Sequence, residues 1–193
     1  MQAQCQEKPV QFEPIAPISA PFAMPAMNRP AIPQRSLDIR DFGAVAGGEV
    51  KNTKSIQSAI DSVVRSGGGS VVIPEGRWLT GAIRLGNKTD LHLEEGAELL
   101  FSQDTADYLP VVFSRHEDVE CYKYSAFVYA NGATDISITG KGTLNGQGKP
   151  WWSYKKENAR SEKLLFEMAA KGVPVDERIF DGKEGRALRP AFF

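Results

Sequence analysis

From residue 70 to residue 146 the chain is a succession of short apolar runs, each closed by a turn residue, with no helical pattern between them. Val71-Val72-Ile73 precede Pro74-Glu75-Gly76, Ile83 and Leu85 precede Gly86-Asn87, and Leu91 and Leu93 precede Glu94-Glu95-Gly96. Leu99-Leu100-Phe101 follow, then Phe127-Val128-Tyr129 before Asn131-Gly132, Ile136 and Ile138 before Gly140, and Leu144 before Asn145-Gly146. Strands this short do not make an ordinary sandwich, and no hairpin pair stands out. The lack of helices between them argues against a doubly wound parallel sheet. A solenoid fits: each short strand pairs with the same strand one coil on, so that inward apolar residues stack. Ile73 and Leu93 lie 20 residues apart, one coil, and Leu93 and Ile138 lie 45 apart, close to two coils. The expected fold class is all-β, a right-handed parallel β-helix of a few coils.

An open coil end is a row of unpaired backbone groups, and the sequence supplies a lid for the first one. Ile56, Ala59, Ile60 and Val63 recur at helical spacing and give one apolar face. Asn52 stands where its side chain could accept from the first free N–H groups, and Gly67 can end the helix in a left-handed conformation. A capping α-helix is therefore expected over about 53–66. Before it, residues 1–35 form a Pro-rich arm: Pro9, Pro14, Pro17, Pro21, Pro25, Pro30 and Pro33 impose extended backbone. Phe12, Ile15, Ile18, Phe22, Met24 and Met27 suggest that this arm lies on the domain rather than hanging free. Residues 36–193 are the β-helix domain, with two interruptions: a long surface loop over about 104–125 and a helical insertion over about 153–172. Ala191-Phe192-Phe193 reads as a strand beginning. Because the rungs stop there, the last coil is expected to lack a cap and to self-associate.

Composition removes several classes. A formal net charge of -1 and a pI of about 6.2 leave no dense basic stretch for nucleic acid. No apolar stretch approaches the roughly 20 residues of a membrane span, and the polar start Met1-Gln2-Ala3-Gln4-Cys5 carries no signal-peptide core. The two cysteines, Cys5 and Cys121, have neither a disulfide framework nor metal-ligand spacing, and the two histidines, His92 and His116, give little for a metal site. Gly67-Gly68-Gly69 lacks the lysine and preceding strand of a phosphate loop. No cofactor and no metal are expected.

Asp41-Phe42-Gly43-Ala44, Asn52-Thr53, the run Gly67 to Gly76, Leu79-Thr80-Gly81 and Leu91-His92-Leu93-Glu94-Glu95-Gly96-Ala97 together resemble polygalacturonases of glycoside hydrolase family 28. The run Ile138-Thr139-Gly140-Lys141-Gly142-Thr143-Leu144-Asn145-Gly146-Gln147-Gly148 with Trp151-Trp152, and Arg189-Pro190, extend the resemblance. One departure is Asn145, where the family more often has Asp; both side chains can make the same turn hydrogen bond. The resemblance implies inverting hydrolysis of α-1,4-galacturonosyl or related linkages of pectin, in a periplasmic or secreted enzyme. Inversion needs an acid and a base roughly 6.5–9.5 Å apart. The motifs that carry them in the family, Asn-x-Asp and Asp-Asp with Gly-His-Gly and Arg-x-Lys in support, are not found here. No catalytic residue is therefore assigned, and the chain is expected to be a family fragment, inactive alone.

For binding pectin or an oligogalacturonide, the candidates are Arg115 and Arg189, whose planar guanidinium suits a uronate carboxylate, and Trp151 and Trp152, whose indoles could stack on a pyranose. Each has a structural alternative, an ion pair or a flank cover. Glu94-Glu95 reads as a solvated corner, and Glu117-Asp118 with Glu120 as loop ion pairs. A non-catalytic carbohydrate-binding or tailspike-like module would need none of the acids. A calcium-dependent pectate lyase relative would need a carboxylate cluster that the sequence lacks.

Overall fold

The computed structural model describes residues 15–16, 18–25 and 27–193. Its elements are β1 (Ser36–Asp38), α1 (Thr53–Arg65), β2 (Gly69–Ile73), β3 (Gly76–Thr80), β4 (Ile83–Arg84), β5 (Thr89–Leu93) and β6 (Ala97–Phe101). They continue with β7 (Val112–His116), β8 (Val119–Lys123), β9 (Val128–Tyr129), β10 (Ser137–Gly140), β11 (Thr143–Asn145), α2 (Gly148–Trp151), α3 (Lys155–Ala170) and β12 (Ile179–Phe180). Three parallel sheets wrap around one core. The first stacks β1-β2-β5-β10, the second β3-β6-β11, and the third β4-β9. Residues 191–193 extend the third sheet, since Ala191 and Phe192 carbonyls accept from the Phe127 and Val128 N–H groups. The architecture is a right-handed parallel β-helix.

Register explains the apolar pattern. Val71 pairs with Leu91 and Leu91 with Ile138, so one side of the first sheet is a column of aliphatic side chains. Val71, Ile73, Leu91, Leu99, Phe101 and Ile83 are at most 1% exposed and meet in a single core. Phe101 and Phe127, which flank the insertion in one rung, stack at 4.9 Å. The backward face of the first sheet is polar and still largely covered. There the buried Asp90 carboxylate accepts from Ser70 (3.0 Å), Ser137 (2.7 Å) and Thr139 (2.9 Å), joining three rungs, and His92 meets the Thr139 hydroxyl at 2.7 Å. Corners within a rung are tight: at Gly140 (φ 97°) a Cβ would lie 1.8 Å from the Leu93 carbonyl oxygen of the preceding rung, so only glycine fits.

All three sheets are closed at the N-terminal end. β1 covers the first; Gly47 and Asn52 N–H groups donate to Arg77 and Leu79 carbonyls on the edge of the second. The third is covered by Gln57 of α1, which accepts from Arg84 N–H (2.8 Å) and donates to the Arg84 carbonyl (3.0 Å). The helix buries Ile56, Ala59, Ile60 and Val63 completely, worth about 1.5–3 kcal/mol for each large side chain. Gly67, at φ 89°, follows its end as expected. Asn52 does not cap the helix with its side chain. Its amide instead holds the preceding loop, accepting from Val45 N–H (2.7 Å) and donating to the Val45 and Val50 carbonyls.

Three further expectations are corrected. Leu91 pairs with Ile138 directly, 47 residues on, so the long spacing is one enlarged coil and not two. The enlargement is the segment expected as a loop over 104–125. It folds as a 3₁₀ turn, Thr105–Tyr108, and an antiparallel hairpin of β7 and β8 joined through Glu117 and Asp118, with β12 added parallel to β8. The hairpin is ordered because Cys121, with Val119, packs against Leu165 and Leu164 of α3, Phe180 of β12 and Leu188, a second small core. Thirdly, Ile18, Phe22, Met24 and Met27 of the arm are 39–66% exposed and do not pack down. The arm meets the domain nearer its end, where Ala31 N–H donates to Asp135 (2.9 Å). Cys5, Phe12, Pro9, Pro14 and Pro17 fall outside the described residues.

Candidate functional site

The third sheet is where the coil is most elaborated. In the first rung only Gly81 and Ala82 connect the second sheet to it. In the second rung the hairpin of β7 and β8 stands at that corner, and in the third rung α2, α3 and β12 stand there. Both insertions therefore rise beside one narrow strip, the outer face of β4, β9 and residues 191–193. Ile83 and Val128 point into the core, 1% and 4% exposed, so their neighbours Arg84 and Tyr129 face outward. The Arg84 guanidinium carbon lies 5.5 Å from the centre of the Tyr129 ring. Tyr129 donates its hydroxyl to the Phe113 carbonyl (2.9 Å), fixing the hairpin to this face. Phe113 is partly exposed and meets the Tyr122 ring edge-on at 6.0 Å.

The residues singled out by sequence take separate positions. Arg115 on β7 is exposed, and its guanidinium is paired with its cross-strand neighbour Glu120 at 3.0 Å. Trp151 is 5% exposed, ringed by Tyr108 (5.6 Å), Tyr154 (5.5 Å) and Phe127 (6.1 Å), and its indole N–H has no hydrogen-bond partner among the described residues. It covers the flank of the coil stack. Trp152, its neighbour, is 71% exposed. Arg189 has an exposed side chain; its N–H donates to Asn158 (3.2 Å) and its carbonyl accepts from Lys123 (3.4 Å). Among the described residues no hydrogen bond, ion pair or ring contact joins the side chains of any two of the four.

Sequence reasoning passed over Arg84, Tyr129, Phe113 and Lys123. Lys123 is 4% exposed, and burial pushes its ammonium below the usual lysine range, with Arg189 adding to the effect. The signal for Arg84 and Tyr129 was present as the alternation Ile83-Arg84-Leu85 and Val128-Tyr129, but their adjacency depends on a register 45 residues long.

No Asp or Glu stands on β4, on β9 or on residues 191–193. On the cap helix Asp61 accepts from the Gln57 amide (2.9 Å) that also donates to the Arg84 carbonyl; elsewhere Glu98 is held by Arg77 (2.7 Å) and the Asn145 amide (2.7 Å), Asp104 and Asp107 by Lys51 (3.2 and 2.7 Å) and Glu95 by Lys141 (3.2 Å). Asn145 makes the expected turn bond, accepting from Gln147 N–H at 2.9 Å. Its second bond, to Glu98, is one that an aspartate could not make. With Asn145 first and Arg77 next, these contacts hold the Glu98 carboxyl below the usual glutamate range. Among the described residues no group of three or more His, Cys, Asp or Glu could hold a metal ion.

No family model matches the chain. A probable polygalacturonase of Vitis vinifera is 36% identical over 126 residues, covering 61% of this chain and 26% of the relative. The plasmin and fibronectin-binding protein A of Streptococcus pneumoniae is 31% identical over 121 residues, 58% of this chain and 16% of that one. Among solved structures, the hyperthermoactive exopolygalacturonase of Thermotoga maritima superposes with a TM-score of 0.78 at 38% identity, over 84% of this chain and 39% of that chain. The chain thus spans about a quarter of the length of the plant relative. Sequence and coil geometry together identify it, over the residues it spans, as a polygalacturonase-like β-helix of the pectin lyase-like kind.

Proposed function

We propose that the chain belongs to a pectin-degrading glycoside hydrolase that cleaves α-1,4-galacturonosyl or related linkages with inversion. The observation that carries this reading is the likeness to the Thermotoga exopolygalacturonase, 38% identical over 84% of the chain with the same coils superposed. An enzyme acting on a secreted plant polymer would work in the periplasm or outside the cell. Among the described residues no helix is long and apolar enough to cross a membrane.

Inverting hydrolysis requires one carboxylic acid to protonate the leaving oxygen and one carboxylate to activate water on the opposite ring face. The three rungs of the third sheet carry neither. The residues of this chain are accordingly assigned to holding an anionic sugar, and the chain alone should release no reducing ends from polygalacturonate. It should still discriminate trigalacturonate from the neutral α-1,4-linked galactose trimer. Turnover by the purified chain would overturn the assignment of its residues to binding. Failure to distinguish the two sugars at millimolar concentration would overturn the pectin reading.

A second reading, a non-catalytic adhesive β-helix, is favoured by the match to the pneumococcal binding protein. Micromolar binding of fibronectin or plasmin, with no preference for oligogalacturonides, would select it.

A further inference from the structure

We propose that Arg84, Tyr129 and Phe113 form a uronate-binding subsite at the capped end of the third sheet, with the aromatic rings supporting a pyranose and Arg84 taking its carboxylate. This rests on the pectin reading above and adds a location and residues to it.

Arg84 is exposed and has no carboxylate partner among the described residues. Arg115, on the hairpin beside it, is neutralised by Glu120, and Arg77, one strand earlier in the same coil, by Glu98. The backbone of Arg84 is gripped from both sides by Gln57, as donor and as acceptor, so the base of its side chain is fixed by the cap helix. Its guanidinium carbon lies over the Tyr129 ring, 5.5 Å from the ring centre. A guanidinium laid on an aromatic face uses its own face for that contact. The in-plane N–H groups remain free, and they form the fork that meets a carboxylate bidentately. Tyr129 in turn is positioned by its hydroxyl bond to the Phe113 carbonyl, so ring and guanidinium are in place before any ligand arrives. Rigid aromatic surface beside a fixed charge limits the ordering cost of binding.

Charge selects the ligand class. The platform carries one cation in a chain of net charge -1, which fits one carboxylate per sugar and lacks the basic stripe that a nucleic-acid backbone needs. The occupant is therefore an acidic polysaccharide, bound as a uronate.

The test is titration of the ¹⁵N-labelled chain with trigalacturonate, following backbone and arginine Nε–H signals, with neutral α-1,4-galactotriose as control. Trigalacturonate is expected to shift the signals of residues 83–85, 113 and 128–130, and the neutral trimer is not. Arg84→Gln should weaken binding about tenfold or more, Arg84→Lys less, and Tyr129→Ala about fivefold. Raising salt to 0.5 M should weaken binding to the parent chain but not to Arg84→Gln, because screening acts on the lost charge pair. Melting curves of the variants report whether they fold; Arg84→Gln keeps both backbone bonds to Gln57. Trigalacturonate binding that survives Arg84→Gln and Tyr129→Ala unchanged would overturn the subsite and leave the pectin reading standing. Absence of selective binding by the parent chain would overturn both.

Discussion

Asn145→Asp is the change that the structure judges most sharply. On the second sheet Arg77, Glu98 and Asn145 form a ladder across three successive rungs, with Glu98 between a guanidinium and an amide, each at 2.7 Å. Replacing the amide by a carboxyl keeps the turn bond to Gln147 N–H, since that uses Oδ1. It removes the donor to Glu98, a bond to a charged acceptor worth about 1.5 kcal/mol at a partly exposed position. It also sets two carboxylates side by side, where Coulomb repulsion at ~4 Å runs from about 1 to 4 kcal/mol between water and a protein surface. The Glu98 side chain is 27% exposed and keeps Arg77, which places the repulsion near the lower limit. The expected loss at pH 7 is about 2–2.5 kcal/mol, or a fall in melting temperature of roughly 5–8 °C for a domain of this size.

The sign with pH is defined. In the parent chain the Glu98 carboxyl is depressed, so its contribution is fully present above the ordinary glutamate range and is lost as pH falls through the lowered folded value. In the variant the two carboxyls can share a proton, so the deficit is greatest at neutral pH and shrinks toward pH 4. Thermal melting by tryptophan fluorescence at pH 7 and pH 4 checks this, and adding Glu98→Gln to the variant should recover most of the loss by restoring a donor. A deficit below about 0.5 kcal/mol at pH 7, the range of ordinary surface substitutions, or one that does not change with pH, would refute the ladder argument.

Further outcomes are expected. Gly140→Ala should destabilise by about 3 kcal/mol or more in denaturant titration, because its methyl group meets the Leu93 carbonyl and its φ is left-handed. Trp151→Ala should cost about 3–5 kcal/mol as a buried aromatic deletion, while Trp152→Ala should change stability by less than about 0.5 kcal/mol, both read by melting. Asp90→Ala leaves three rung-joining hydroxyls without their acceptor and should cost about 2–3 kcal/mol, with Asp90→Asn costing less. Since among the described residues β10 and β11 are paired on one side only and Phe193 is 69% exposed, sedimentation should show assembly that grows with concentration, and a single monomer at all concentrations would count against it.

The parallel stack was legible because inward aliphatic residues recur in short runs that only a coil can align, and the cap helix because four apolar residues lie on one face. The coil count was not. Leu93 and Ile138 suggested two turns, yet the intervening residues form a hairpin whose two-residue turn, Glu117 and Asp118, lacks the Asn-Gly signature and puts a non-glycine at φ 49°. Asn52 sits at the helix start as its type predicts, but backbone groups of the preceding loop compete successfully for its amide. For the site, residue type drew attention to Arg115, whose charge the register cancels with Glu120. It passed over Arg84, whose surroundings come from a strand 45 residues away and a glutamine of the cap.

The two elaborations on the coil leave it and rejoin it at the same vertex, one rung above the other. The rungs beneath are held by pairings that do not pass through either excursion. Their lengths can therefore drift without altering the pitch or phase of the spiral, as a balcony can be rebuilt without touching the staircase. A version with Leu109–Ser125 shortened to a two-residue bridge, like the one the first turn already uses at Gly81 and Ala82, should keep its spiral. What it would lose is the wall that shapes the neighbouring strip.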